Sequence, residues 1–239
     1  MSTKGADVVN GARPDYEAIV VGGGPGGSVT ASLLAEAGHR VLLLDKASFP
    51  RHKACSEYVN PGGVRVLRDL GLEGDVIAAG AHKMQAMMVH APGGRRFLAD
   101  FEGAGPGEYA LGLSRHTLDE ILLDRARVAG VDVRERAHVR DVLRHDGRVR
   151  GVDVSIDGQR EKLTAAIVIG ADGHHSAVTR SLGLDTPMPL LRRTGLVAHY
   201  RGVVGLGERG EMHVAAHGYA GLAPLERGLT NVAFVSASS

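Results

Sequence analysis

The chain has no tryptophan, a single cysteine and almost no net charge. One cysteine, Cys55, excludes an internal disulfide framework and favours a reducing, cytoplasmic compartment. The 28 basic and 27 acidic residues are scattered along the chain, giving a formal charge of +1 and no basic footprint for nucleic acid. No apolar run approaches the ~20 residues of a membrane-spanning helix, and the opening MSTKGADVVNGARPD lacks the apolar segment of a secretory signal, so the chain reads as soluble. There is no internal repeat, and no G-x-S-x-G turn to anchor a hydrolase triad. Twelve histidines raise the question of metal. Their densest pair, His174 and His175, is adjacent and would point apart on a helix, and no other ligand spacing is recognisable, so no metal site is expected.

What is present begins at Tyr16. YEAIVV reads as a strand, GGGPGG as a turn, SVTASLLAEAG as a helix with Val29, Leu33 and Leu34 on one face, and RVLLLD as a second strand closing on Asp45. Gly22, Gly24 and Gly27 fit G-x-G-x-x-G between strand and helix. Gly22 permits the tight turn, Gly24 admits a pyrophosphate close to the backbone, and Gly27 lets the helix pack on the strand. Pro25 and Gly26 complete the loop, and the helix N-terminus offers N–H donors to phosphate. Asp45 falls 23 positions after Gly22, where a carboxylate accepts hydrogen bonds from ribose hydroxyls. NAD and FAD exploit the same physics, so this unit alone does not choose between them.

Further along, Pro61 opens a second helix through GVRVLRDL to Gly71, and KMQAMMVHAPGGRRFLADF reads as two strands joined at Pro92 to Gly94. RHTLDEILLDRARVAG returns to helical spacing, with Leu118, Ile121, Leu122 and Ala126 on one face and Gly130 as the stop. Three strands then turn at Asp146-Gly147 and Asp157-Gly158, followed by AAIVIGADG as a separate, buried parallel strand. GLVAHYRGVV, EMHVAAHG and LTNVAFV are further strands. No helix follows the last one, which leads us to expect a truncated or partial chain.

IVIGADGHHSAVTRSLGL resembles the second flavin motif of the para-hydroxybenzoate hydroxylase fold. That resemblance assigns Asp172 and Gly173 to the ribityl and pyrophosphate region of FAD. LSRHTLDEILLDRA is similar to the family's third segment, which implies that Arg115 reaches the flavin, and the strand after it would bring the backbone of Val139 to the adenine. RHKACSEYVNPGG looks like the K-x-C-G-E segment of the geranylgeranyl reductase and flavin-dependent halogenase branch, with Ser56 where glycine is usual. It places Arg51, Cys55 and Ser56 in a loop over the flavin, with Lys46 beside the ribose end; a nucleophilic Cys55 is the alternative reading. AHGYAGLAP keeps Tyr219 and Pro224 of the reductases' P-x-x-Y-x-W-x-F-P pattern. Ala216, Gly221 and Ala223 replace its Pro, Trp and Phe, which implies a wider pocket. Halogenases carry W-x-W-x-I-P, which a chain without tryptophan lacks, although Lys83 precedes a strand as their lysine does.

The resemblance implies an α/β fold: a Rossmann-like FAD-binding domain of the para-hydroxybenzoate hydroxylase type with an inserted antiparallel β-sheet substrate domain, C-terminally incomplete because the usual G-D-A-A motif is absent. The expected parts are a mobile arm over 1–14, an FAD-binding domain over 15–82 and 103–185, and a substrate sheet over 83–102 and 186–239. FAD, with NAD(P)H as reductant, is the expected cofactor set. A hydrophobic or aromatic small molecule is the expected substrate, lying against Met84, Met87 or Met88, and Tyr219. No catalytic residue is singled out, and hydroxylation and alkene reduction both stay open. The alternatives are a dinucleotide-binding module without catalysis, a split enzyme whose partner chain supplies the missing part, and a plain NAD-dependent dehydrogenase, against which the Asp172 motif argues.

Overall fold

The computed structural model describes residues 13–186 and 193–237. Most of the expected N-terminal arm lies outside these residues, but Pro14 is tied down, its carbonyl accepting from Arg40 Nη2 at 3.2 Å. The described residues form two compact units, 13–51 with 119–186 and 52–118 with 193–237.

The first unit holds β1 (Tyr16–Val21), α1 (Pro25–Glu36) and β2 (Val41–Leu44). It continues, after α4 (Arg115–Val128), with β8 (Asp132–Arg134), β9 (Ala137–His145), β10 (Arg148–Ile156), β11 (Gln159–Gly170) and α5 (Ala177–Leu182). Its sheet runs β8-β2-β1-β11-β10-β9, parallel from β8 to β11 and antiparallel beyond. Every residue of β2 and the last four of β1 are buried, because alternate side chains enter two cores. Ile19, Val21, Leu42 and Leu44 pack with Val142, Val152, Val154 and Val178, whereas Ala18, Val20 and Leu43 pack with Ala31, Leu123 and Ala126. Both Asp-Gly turns have positive φ at both positions, the type I′ geometry that matches strand twist.

Three expectations change here. α1 buries Gly27, Ser28, Ala31 and Ser32 while Leu33 is 49% exposed, since a helix this close to a strand admits only small side chains. In α4, Leu123 is fully buried and Ile121 only partly. The third hairpin strand and the apolar run are one strand: β11 pairs antiparallel with β10 up to Thr164 and parallel with β1 from Ala165, with no turn residue to break it. Beyond Ala165 it is not fully buried. Ile167 is 55% exposed, and among the described residues the edge of β11 opposite β1 is unpaired there.

The second unit contains β3 (Tyr58–Val59), α2 (Pro61–Asp69), α3 (Glu73–Ala78), β4 (His82–Met84), β5 (Ala86–His90), β6 (Arg96–Asp100) and β7 (Ala110–Gly112). Later come β12 (Arg193–Arg201), β13 (Arg209–Ala215), β14 (Gly218–Pro224) and β15 (Leu229–Ala237). A small sheet runs β3-β7-β4 and a larger one β12-β15-β14-β13-β5-β6. The larger sheet is antiparallel except where β5 and β13 pair in parallel. The division after residues 51 and 118 differs from the expected 82/83 and 102/103. Segments 52–82 and 103–118 belong with the large sheet because buried carboxylates, described below, bind them to it.

Candidate functional site

In the first unit the glycine turn is built as the spacing requires. Gly22 has φ +107°, and a Cβ there would lie 2.4 Å from the carbonyl oxygen of Ala171. A Cβ on Gly27 would meet the Gly22 carbonyl oxygen at 1.8 Å, so the helix start rests on the turn itself. Gly24 is the N-cap of α1 without a side-chain cap, Pro25 opens the helix, and Gly26 faces open space. The first-turn N–H groups are therefore left for an anion.

Asp45 is fixed at both oxygens: Oδ2 accepts from Gly23 N at 2.7 Å and Oδ1 from Ala47 N at 2.8 Å. The backbone of Ala137, at the start of β9, donates to the Asp45 carbonyl at 2.8 Å, which sets Val139 two residues beyond the ribose end, partly buried against the first core. Lys46 is exposed. Arg51 lies over the Phe49 ring and pairs with Asp119, whose carboxylate is fully buried, at 3.2 Å. This pairing explains a buried acid within α4, and it holds the arginine 4.0 Å from Asp45.

Asp172 meets the glycine turn from the other side: Ala171 N donates to the Val21 carbonyl, and Gly22 abuts the Asp172 Cα. Asp172 Oδ2 accepts from Ala177 N at 2.6 Å, and Ser176 caps α5 by accepting from Thr179 N. Asp172 Oδ1 is shielded from solvent without a hydrogen-bond partner, and Gly173 turns the chain away with φ +76°. An acceptor left bare beside an uncapped helix end fits the hydroxyls and phosphates of a dinucleotide.

In the second unit the loop after Arg51 converges on Glu57, the glutamate of the K-x-C-G-E-like segment, to which the sequence assigns no role of its own. Glu57 is 3% exposed and has φ +53°, unusual for a glutamate. Its carboxylate accepts from Arg115 N at 2.8 Å and Asn231 Nδ2 at 2.8 Å, and lies 2.5 Å from His199 Nε2. Asn231 also donates to the Cys55 carbonyl, which holds that loop by its backbone, while Ser56 is exposed. The imidazoles of His52 and His116 are 5.2 Å apart, and His52 is 6.4 Å from His199.

A second carboxylate, Glu226, accepts from Ser114 N at 3.0 Å, Ser114 Oγ at 2.5 Å and Thr117 Oγ1 at 3.2 Å. Burial pushes the Glu226 carboxyl up, but these hydrogen bonds outweigh it and hold the group below the usual carboxylate range. Two acids thus sit at the N-terminus of α4, which offsets the presence of Arg115 at a helix start. Burial also pushes the Tyr58 phenol up to about 12.

Strand register puts Met87 beside Gly210 and Tyr219 beside Val214, so both fall on one face of the large sheet, with Ala223, Asn231 and His199. Met88 is on the opposite face. Met84 is fully buried in the small sheet, so it does not belong to the substrate lining. Lys83 lies inside β4 with its ammonium over the Tyr109 ring.

The glycine turn, the anchored Asp45 and the bare Asp172 oxygen together have the form of a dinucleotide-binding protein's site. Residues 15–199 match the family described as FAD binding domain, and the chain belongs to that family. It is 36% identical over 173 residues to digeranylgeranylglycerophospholipid reductase 1 of Methanopyrus kandleri, covering 71% of this chain and 43% of that protein. Its fold matches a geranylgeranyl bacteriochlorophyll reductase-like protein from Thermoplasma acidophilum with TM-score 0.82 at 25% identity, covering 93% of this chain and 56% of that one. It also matches the myxobacterial chondrochloren halogenase CndH with TM-score 0.80 at 28% identity, covering 93% and 53%. The chain thus spans well under two thirds of these proteins, and its similarities include both geranylgeranyl reductase-like proteins and a flavin halogenase. No helix among the described residues is long and apolar enough to cross a membrane.

Proposed function

We propose that this protein is an FAD-dependent oxidoreductase that reduces a carbon–carbon double bond in a hydrophobic substrate, with NAD(P)H as the source of electrons. The observation that carries this reading is the 36% identity to a reductase whose name specifies an isoprenoid lipid, joined to a chain that keeps both dinucleotide motifs. Bound FAD would supply hydride transfer. The glycine turn and α1 would hold the pyrophosphate, Asp45 the ribose and Asp172 the ribityl hydroxyls. In the second unit, His199 is held on the buried carboxylate of Glu57. Met87 and Tyr219 would contribute an apolar wall on the same sheet face.

The test starts with the purified 239-residue chain. Incubation with FAD is expected to give a retained flavin absorption spectrum, and Gly24→Val to abolish it; a colourless wild type would refute the enzyme reading for this chain. NAD(P)H oxidation is then followed with and without oxygen in the presence of an isoprenoid alkene. Saturated product formed anaerobically supports reduction, whereas product that requires oxygen and carries a new hydroxyl replaces it with oxygenation.

A further inference from the structure

On the face of the large sheet opposite Met87 and Tyr219, the parallel pairing of β5 with β13 sets His90 beside His213 and Met88 beside Glu211. Glu211 and His213 are two residues apart on one strand and point the same way. The two imidazoles stack with centroids 4.1 Å apart and planes within 7°. His213 Nε2 lies 2.9 Å and His90 Nε2 3.7 Å from the same oxygen, Glu211 Oε2. The carboxylate is 16% exposed, and Arg209 Nε approaches its other oxygen, Oε1, at 3.6 Å, leaving Oε2 to the two rings. His213 satisfies itself on that oxygen. His90 Nε2 does not: it is shielded from solvent and has no hydrogen-bond partner.

We propose that His90, Glu211 and His213 form a binding site for a divalent transition cation of the zinc type. All three donor atoms lie within 4.8 Å of one another. Ligands about 2.0–2.1 Å from a tetrahedral zinc stand roughly 3.3 Å apart, and the 2.9 and 3.7 Å separations bracket that figure. A cation at their centre, met by both rings once they rotate out of their parallel stack to aim their in-plane lone pairs at it, gives the His90 nitrogen the partner it lacks. Two imidazoles and one carboxylate suit zinc rather than calcium or magnesium, which favour all-oxygen shells. The half-exposed side of His213 leaves a fourth position for water. Because His90 and Glu211 are about 120 residues apart in sequence, the ion would clamp together strands that no short turn connects.

The test uses the full chain, stripped with a chelator and titrated with zinc against a chromophoric zinc indicator. One equivalent is expected to bind, and His90→Gln, Glu211→Gln and His213→Gln each to lower affinity by at least about tenfold, an effect that even outer partners of metal ligands produce. A His174→Ala/His175→Ala double variant should bind as wild type does. Zinc should also raise the wild-type melting temperature, and that rise should vanish in His90→Gln, which reads the same site through folding. Absence of zinc binding by the wild type, equal binding by the three variants, or loss of binding in the 174/175 double variant would each overturn the site.

Discussion

A methyl group on Gly27 would lie 1.8 Å from the carbonyl oxygen of Gly22, and backbone on both sides cannot retreat without opening the turn. Gly27→Ala is therefore expected to destabilise the fold by about 1–3 kcal/mol, as overpacking does, and to lose FAD with it. Asp172→Ala separates the two effects. Ser176 still caps α5 at Thr179 N but the Ala177 amide loses its acceptor, so the melting temperature should fall only modestly, while FAD affinity falls roughly ten- to a hundredfold, the worth of a hydrogen bond to a charged group. A fluorescence-quenching titration measures this, and unchanged affinity would remove Asp172 from the site. Both residues could be found in the sequence because their spacing is local. Glu57 is visible there only as the glutamate of the K-x-C-G-E-like segment; its role is not, because that comes from a positive φ and from His199 and Asn231, more than a hundred residues away.

At the scale of elements, end signals outperformed apolar periodicity. The strand Tyr16–Val21, the helix opening at Pro61 and both Asp-Gly hairpins follow from proline, glycine and β-branched residues, whose backbone preferences act locally. α1 resisted the same reading, since close packing on β1 selects small residues for the buried side and leaves Leu33 outside. The start of α2 offers a measurable case. Asn60 Oδ1 accepts from Gly63 N at 2.8 Å, and Pro61 occupies the first helical position, where its missing N–H costs nothing. Asn60→Ala should lower stability by about 1 kcal/mol in urea unfolding, and Asn60→Asp should retain most of it. If Asn60→Ala unfolds like the wild type, water caps this helix equally well.

For the molecule as a whole, the distribution of anchored carboxylates determines how it responds to acid. Asp15, hydrogen-bonded by the Thr164 amide and hydroxyl, and Asp153, gripped by the Arg160 guanidinium, are held below their ordinary range in the first unit. Glu226 is held low in the second by Ser114 and Thr117, against the opposing effect of its burial. A carboxyl whose folded pKa is depressed binds fewer protons folded than unfolded. Its contribution is present above the ordinary carboxylate range and is lost as pH falls through the lower, folded value. Urea midpoints should accordingly be flat from about pH 7 to about pH 5 and decline below about pH 4. The contributions differ in salt dependence. Arg160 is 69% exposed, so the Asp153 pair should weaken with added salt, whereas the hydrogen bonds on Glu226 are shielded and should not. Glu226→Gln keeps an acceptor for Ser114 but removes the titrating proton. It should leave a shallower decline at high salt than the wild type shows. Superimposable wild-type and Glu226→Gln profiles would mean that the acid response resides elsewhere, and that the carboxylate at the start of α4 is held there by shape rather than by charge.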